Sequence, residues 1–237
     1  MTTLSTPPRK FVELPLAPKT TSPVPSLTSI YSTTKRGPYG DAKYPGNCSG
    51  YLIRDLLTFF GSKKILDPMT GSGTCQDVCE ELGIPCHSFD VRSGVDAADP
   101  KCYADLEPVD FVWLHPPYWR MKRYSDDPRC LSNAPTFEDF CERLRQVVAN
   151  CQSVLTPRGK IAILMGDYWD VSERRFIPCT HATRSICFEL GLWPACTEII
   201  RFQHGNSSST KSYDRAFIPG LHDTCIVMSR PVDRRRC

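Results

Sequence analysis

Two short stretches of this chain hold residue types that do chemistry together. In Ile65-Leu66-Asp67-Pro68-Met69-Thr70-Gly71-Ser72-Gly73-Thr74 an apolar pair runs into an acid, then into a turn where Gly71 and Gly73 place no side chain between backbone and ligand. Glycine permits both that close approach and a positive φ. Thr74 to Glu81 reads as a helix, and the free N–H groups of its first turn favour a carboxylate or phosphate. Strand, glycine turn and helix start together predict a cradle for a small polar ligand. In the second stretch, Asp110 to Leu114 is an apolar run typical of a central strand, and it stops at His115-Pro116-Pro117-Tyr118-Trp119. Consecutive prolines donate nothing to a sheet, so the chain must leave it there. A polar ring, two stiff carbonyls and an aromatic face then meet at a strand's carboxyl end, where open α/β sheets bind ligands.

Asp67-Pro68-Met69-Thr70-Gly71-Ser72-Gly73-Thr74 followed by Pro116-Pro117-Tyr118 resembles the S-adenosylmethionine-dependent amino-methyltransferases, especially those acting on DNA adenine-N6 or cytosine-N4. The resemblance runs from about residue 43 to residue 230. Met69 stands where that family usually has phenylalanine, and His115 where it has Asp, Ser or Asn. The resemblance implies a Rossmann-like class I methyltransferase fold of the α/β class: a mostly parallel seven-stranded sheet flanked by helices. It implies S-adenosylmethionine as cofactor, held by Asp67, Pro68, Met69, Gly71, Gly73 and Thr74. Gly46, Asn47 and Ser49, before the next helix, match the part of the family that closes over the cofactor's methionine end. Ser49 reads equally well as a plain helix cap. Asp90 follows a strand expected at His87–Phe89, roughly 20 residues after Asp67, a spacing that suits an acid on ribose hydroxyls. Asp96 or Asp99 would reach the cofactor's adenine amine.

The implied catalytic set is His115, Pro116, Pro117 and Tyr118. Exocyclic base amines are poor nucleophiles, and acceptors for their N–H groups help as the nitrogen pyramidalises. The carbonyl between the prolines is one acceptor. His115 is the other only when neutral, because a protonated ring offers donors alone and repels a positive sulfur. Tyr118 would offer a stacking face worth about 1–3 kcal/mol, and a duplex base must flip out to reach it. The segment from Asp67 to His115 is too short for a target-recognition domain. Base-sequence specificity then falls to loops, an N-terminal arm, a dimer mate or a partner protein.

The elements that position these residues fit one domain. The chain has 237 residues, 41% of them hydrophobic. We expect a Pro/Ser/Thr-rich, loosely packed extension over 1–36, the methyltransferase domain over 37–230 and a basic tail over 231–237. Helices are expected at Tyr51–Phe60 (Leu52, Leu56 and Phe59 facing the sheet), Thr136–Leu155 and Thr180–Leu190, with strands at Lys160–Met165, Cys196–Phe202 and Thr224–Met228. No apolar run suits a membrane span or signal peptide, which predicts a cytoplasmic protein. The thirteen cysteines read as reduced thiols. Cys75 and Cys79 share a helix face and read as buried small side chains, with no metal site. A net charge of +3 permits nucleic acid without demanding it. Trp119, Arg120, Lys122 and Arg123 after the prolines, and Lys211 and Arg215 in the polar loop 204–220, are the candidate nucleic-acid contacts. DNA is the expected substrate. RNA, or binding to nucleic acid without catalysis, is the alternative.

Overall fold

A computed structural model of the protein describes residues 19–33, 35–202, 218 and 220–231. Its elements are β1 (Ile30–Tyr31), α1 (Gly50–Phe60), β2 (Ile65–Asp67), α2 (Thr74–Leu82), β3 (Cys86–Ser88), β4 (Val109–Leu114), α3 (Phe137–Ser153), β5 (Leu155–Met165), β6 (Tyr168–Asp170), β7 (Arg175–Ile177), α4 (Cys179–Glu189), β8 (Trp193–Pro194), β9 (Ile199–Phe202) and β10 (His222–Ser229). Seven strands lie in the order β1-β9-β10-β5-β4-β2-β3, and β8 adds an eighth beside β10. Among these described strands only β10 is reversed; it runs antiparallel to β5, β8 and β9, while the remaining neighbours pair in parallel.

The sheet is covered on both faces, which is why β4 and the end of β5 are apolar without alternation. Phe111 and Trp113 of β4 pack with Leu52, Ile53 and Leu56 of α1 and Val78 of α2. Val112 and Leu114 point the other way, onto Phe140, Leu144 and Val148 of α3 and Ile186 of α4. Local signals set the helix ends. The Ser49 side chain accepts from the Tyr51 N–H and Gly61 closes α1 in the left-handed region. Thr136 and Asp139 form a reciprocal capping box on α3. Phe59 departs from expectation: it is 40% exposed, and Phe60 instead packs toward Phe111.

The N-terminal segment also departs from it. Ile30 and Tyr31 extend the sheet in parallel with β9. Tyr31 is buried, and its hydroxyl donates to Asp55 at 2.8 Å. Part of the expected extension is thus built into the domain. The hairpin of β6 and β7, between β5 and α4, has no counterpart in the sequence reading. The stretch 203–217, with Lys211 and Arg215, and the tail 232–237 lie outside the described residues. Among the described residues no helix is long and apolar enough to cross a membrane. We expect Tyr31→Phe to cost about 1.5 kcal/mol, because a buried carboxylate loses its donor. Urea denaturation checks this, and a midpoint equal to wild type would mean that the segment is only draped on the surface.

Candidate active site

Parallel strands that end together leave a crevice at their carboxyl ends. Here the loops after β2, β3 and β4 line one open cleft, which contains both sequence motifs. Gly73 caps α2 with φ 84° and no side-chain hydrogen bond, so first-turn N–H groups of that helix remain for a ligand. Gly71 has φ 52°. A Cβ on it would lie 3.3 Å from the ring of Tyr44, so a side chain would intrude on the cradle.

The cradle is braced from two sides. Asp90 accepts from the Gly71 N–H at 2.9 Å and pairs with Arg92 at 3.0 Å; Arg92 also donates to the Gly71 carbonyl. The Arg92 guanidinium lies 4.7 Å over the Tyr44 ring, and Tyr44 stacks on Tyr124. Asn47 accepts from the Thr74 hydroxyl at 2.6 Å. Gly46 is needed for space, since a Cβ there would reach the Tyr124 hydroxyl at 2.5 Å. Asp67 is buried at the end of β2 and accepts from the Met69 N–H. Burial pushes its carboxyl well above the usual range. Of the two later acids, Asp96 lines the cleft and pairs with Arg143 at 3.0 Å. Asp99 instead caps a 3-10 turn at Pro100–Tyr103.

His115, Pro116 and Pro117 form part of the cleft wall. The His115 Nε2 lies 3.2 Å from the Tyr118 hydroxyl. Burial pushes the imidazole down to about 4, Asp223 opposing and Arg201 adding to the shift. At neutral pH the ring is therefore uncharged, as the expected chemistry requires.

Tyr118 and Trp119 need correction. Tyr118 is buried, with its ring so close to Gly166 that a Cβ there would meet Tyr118 Cε2 at 2.6 Å. It braces His115 and is not among the residues that line the cleft; among the described residues the tyrosine rings that line it are Tyr44 and Tyr124. Trp119 is 1% exposed, packs toward Phe137 and donates to the Ala134 carbonyl, so no nucleic acid can rest on it. The left-handed backbone at Trp119, φ 48°, turns this side chain inward straight after the prolines. Arg120 is engaged by Asp170 at 3.0 Å and by Glu173 at 2.6 Å. Lys122 is exposed, as is Arg123, which pairs with Asp126.

Nothing in the sequence pattern points to Tyr44 as a wall of the cleft, nor to the buried Arg201–Asp223 pair at 2.6 Å. A Cβ on Gly166 would also collide with Asp223 Oδ1. A glycine directly after a buried strand is the one readable hint.

No family model matches this chain, and neither does any curated protein. Among solved structures, TrmN from Thermus thermophilus is similar over 78% of this chain and 50% of its own, at 15% identity and a TM-score of 0.51. A SAM-dependent methyltransferase from Archaeoglobus fulgidus is similar over 77% and 95%, at 16% identity and a TM-score of 0.46. A second Thermus thermophilus protein, provisionally named a DNA modification methylase and complexed with S-adenosyl-L-methionine, is similar over 74% and 58%, at 18% identity and a TM-score of 0.43. This chain spans about half the length of the solved structures it matches first. The likeness shows the fold: the Rossmann-like arrangement of class I methyltransferases.

His115 has a folded value of about 4, below its unfolded value near 6.5, so the unfolded chain binds more protons between those limits. Wild type should lose up to about 3 kcal/mol of stability relative to His115→Asn as pH falls through that window. Denaturation at pH 7, 5.5 and 4.5 measures this, and parallel curves would mean the ring is solvated. Gly166→Ala should destabilise by about 1–3 kcal/mol, because Tyr118 and Asp223 cannot both yield. A thermal melt checks it.

Proposed function

We propose that this chain transfers the methyl group of S-adenosylmethionine to the exocyclic amine of a base in nucleic acid, adenine-N6 or cytosine-N4 of DNA in the first place. The observation that carries this is the single cleft that holds the glycine cradle together with His115-Pro116-Pro117. The cradle fits such a cofactor: Gly71 leaves its floor open below Tyr44, and the uncapped start of α2 offers N–H groups to a carboxylate. Asp67, Pro68, Met69, Gly71, Gly73 and Thr74 would hold the methionine end with Gly46 and Asn47. Asp90 would take the ribose hydroxyls and Asp96 the adenine amine. The cofactor supplies an electrophilic methyl carbon on a positive sulfur.

The rest is alignment and proton handling by the protein. The Pro116 carbonyl, fixed between two rings, accepts one amine N–H. For His115 to accept the other, its proton must sit on Nε2 and point at the Tyr118 oxygen, which leaves Nδ1 with a lone pair. Tyr118 is thus a positioning residue: its hydroxyl holds the Nε2 edge of the ring, and when it accepts there Nδ1 is left for the amine. Tyr124, which lines the cleft and is stacked on Tyr44, is the surface left for a base to stack on, since Tyr44 already carries Arg92 over its ring. Lys122 and Arg123 are the exposed cations nearest in sequence to the prolines and would meet phosphates.

The test incubates the chain with labelled S-adenosylmethionine and separate DNA and RNA pools, with mass spectrometry of the nucleosides. Label on N6-methyladenine or N4-methylcytosine of DNA is the expected result; label only in RNA changes the substrate class. Gly71→Val should abolish cofactor binding by calorimetry. His115→Ala and Tyr118→Phe should bind cofactor as wild type does and slow the single-turnover step by about 10²-fold, the low end of what one positioned group contributes. A wild-type chain that binds no S-adenosylmethionine would sink the proposal.

A further inference from the structure

Three cysteines converge at the back of the cradle. Cys75 and Cys79 stand one turn apart on α2, as their spacing implied. The parallel pairing of β2 with β3 brings a third, Cys86, at the start of β3, to the same face. Their three sulfurs all lie within 4.8 Å of one another. Cys75 and Cys79 are each 1% exposed; Cys86 is partly exposed and gives a way in. All three are free thiols, and the chemistry proposed above uses none of them.

We propose that Cys75, Cys79 and Cys86 form a three-thiolate site for a soft, thiophilic cation, monovalent copper being the ion it fits best. An equilateral triangle of 4.8 Å side has its centre about 2.8 Å from each corner, so shifts of about half an ångström reach the roughly 2.3 Å of a metal–thiolate bond. Structural zinc takes four ligands. Among the described residues this cluster offers three, all sulfur; thiolates suit both zinc and monovalent copper, and a set one ligand short of zinc's four favours copper. Binding replaces three S–H protons, which go to solvent, by three S–Cu bonds. No electron is transferred. The Cys86 thiol gives up a weak bond to the His87 carbonyl, at 3.6 Å, and its thiol contacts with Cys75 and Cys79. The complex is anionic, and Cys75 lies in the first turn of α2, where a helix favours negative charge. An ion there adds a tie between α2 and β3, which already pack against each other.

The test uses the full chain, reduced and anaerobic, titrated with monovalent copper against a chelator strong enough to strip single thiols. One equivalent should be retained, with a copper-edge absorption spectrum of three sulfur neighbours and a raised melting temperature. Cys75→Ser, Cys79→Ser and Cys86→Ser should each weaken retention at least tenfold, while Cys187→Ser, a buried cysteine elsewhere, should not. A shell of two or four sulfurs, retention that survives Cys86→Ser, or tighter binding of zinc under the same competition would overturn the proposal. The spectrum is read on wild type, so a misfolded variant does not spoil the test.

Discussion

Everything at the candidate site depends on the parallel pairing of β2 with β4. Ile65 lies opposite Phe111 and Leu66 opposite Val112, so the acid that opens the cradle ends its strand level with Trp113, just before the chain reaches His115. Paired strands run about 4.8 Å apart. Two motifs far apart in sequence are thereby held on neighbouring strand ends, whatever the loops do. The register is held in turn by burial. A slip of one residue would turn Phe111 and Trp113 from the α1 side to the α3 side and undo both cores.

Around that fixed pair, arginines rather than the sheet hold the loops in place. Arg92 links Asp90, the acid after β3, to the glycine turn. Arg143 reaches from α3 to Asp96 and to the Arg129 carbonyl. Arg120 joins the chain after the prolines to Asp170 and Glu173 of the β6–β7 hairpin. Each is a planar fork that spans two segments, which a lysine would do poorly. In sequence, the basic residues after the prolines suggest one phosphate surface. Geometry divides them, with Arg120 serving structure and Lys122 and Arg123 left outside.

Legibility follows the length scale of the signal. The strand–turn–helix of residues 65–82, the central strand at Val109–Leu114 and the start of α3 are set by neighbours within a few residues, and each is predicted within a residue or two. Where a partner far along the chain decides, pattern is silent. A two-residue strand such as Ile30–Tyr31 has no periodicity to read, and β9 gives it its place. The third cysteine of the sulfur cluster arrives through β2–β3 pairing, so the spacing of Cys75 and Cys79 alone points to plain packing. Residue type alone presents Tyr118 and Trp119 as open aromatic faces. Their direction is set by a left-handed backbone at Trp119 and by the room that Gly166 leaves.

Among the described residues, the three acids that line the cleft are all compensated. Asp90 and Asp96 face arginines, and burial holds the Asp67 carboxyl toward its neutral form. His115, at a position where the resembling family often has an acid, carries no charge either. Such a wall offers no uncompensated acid with which to tell a positive sulfonium from the uncharged thioether it becomes after losing its methyl group. Under the proposed function, fresh and spent cofactor would then compete on nearly equal terms. The pace of the reaction would follow the ratio of the two in the surroundings more than the amount of either, so the chain would depend on whatever clears the spent form.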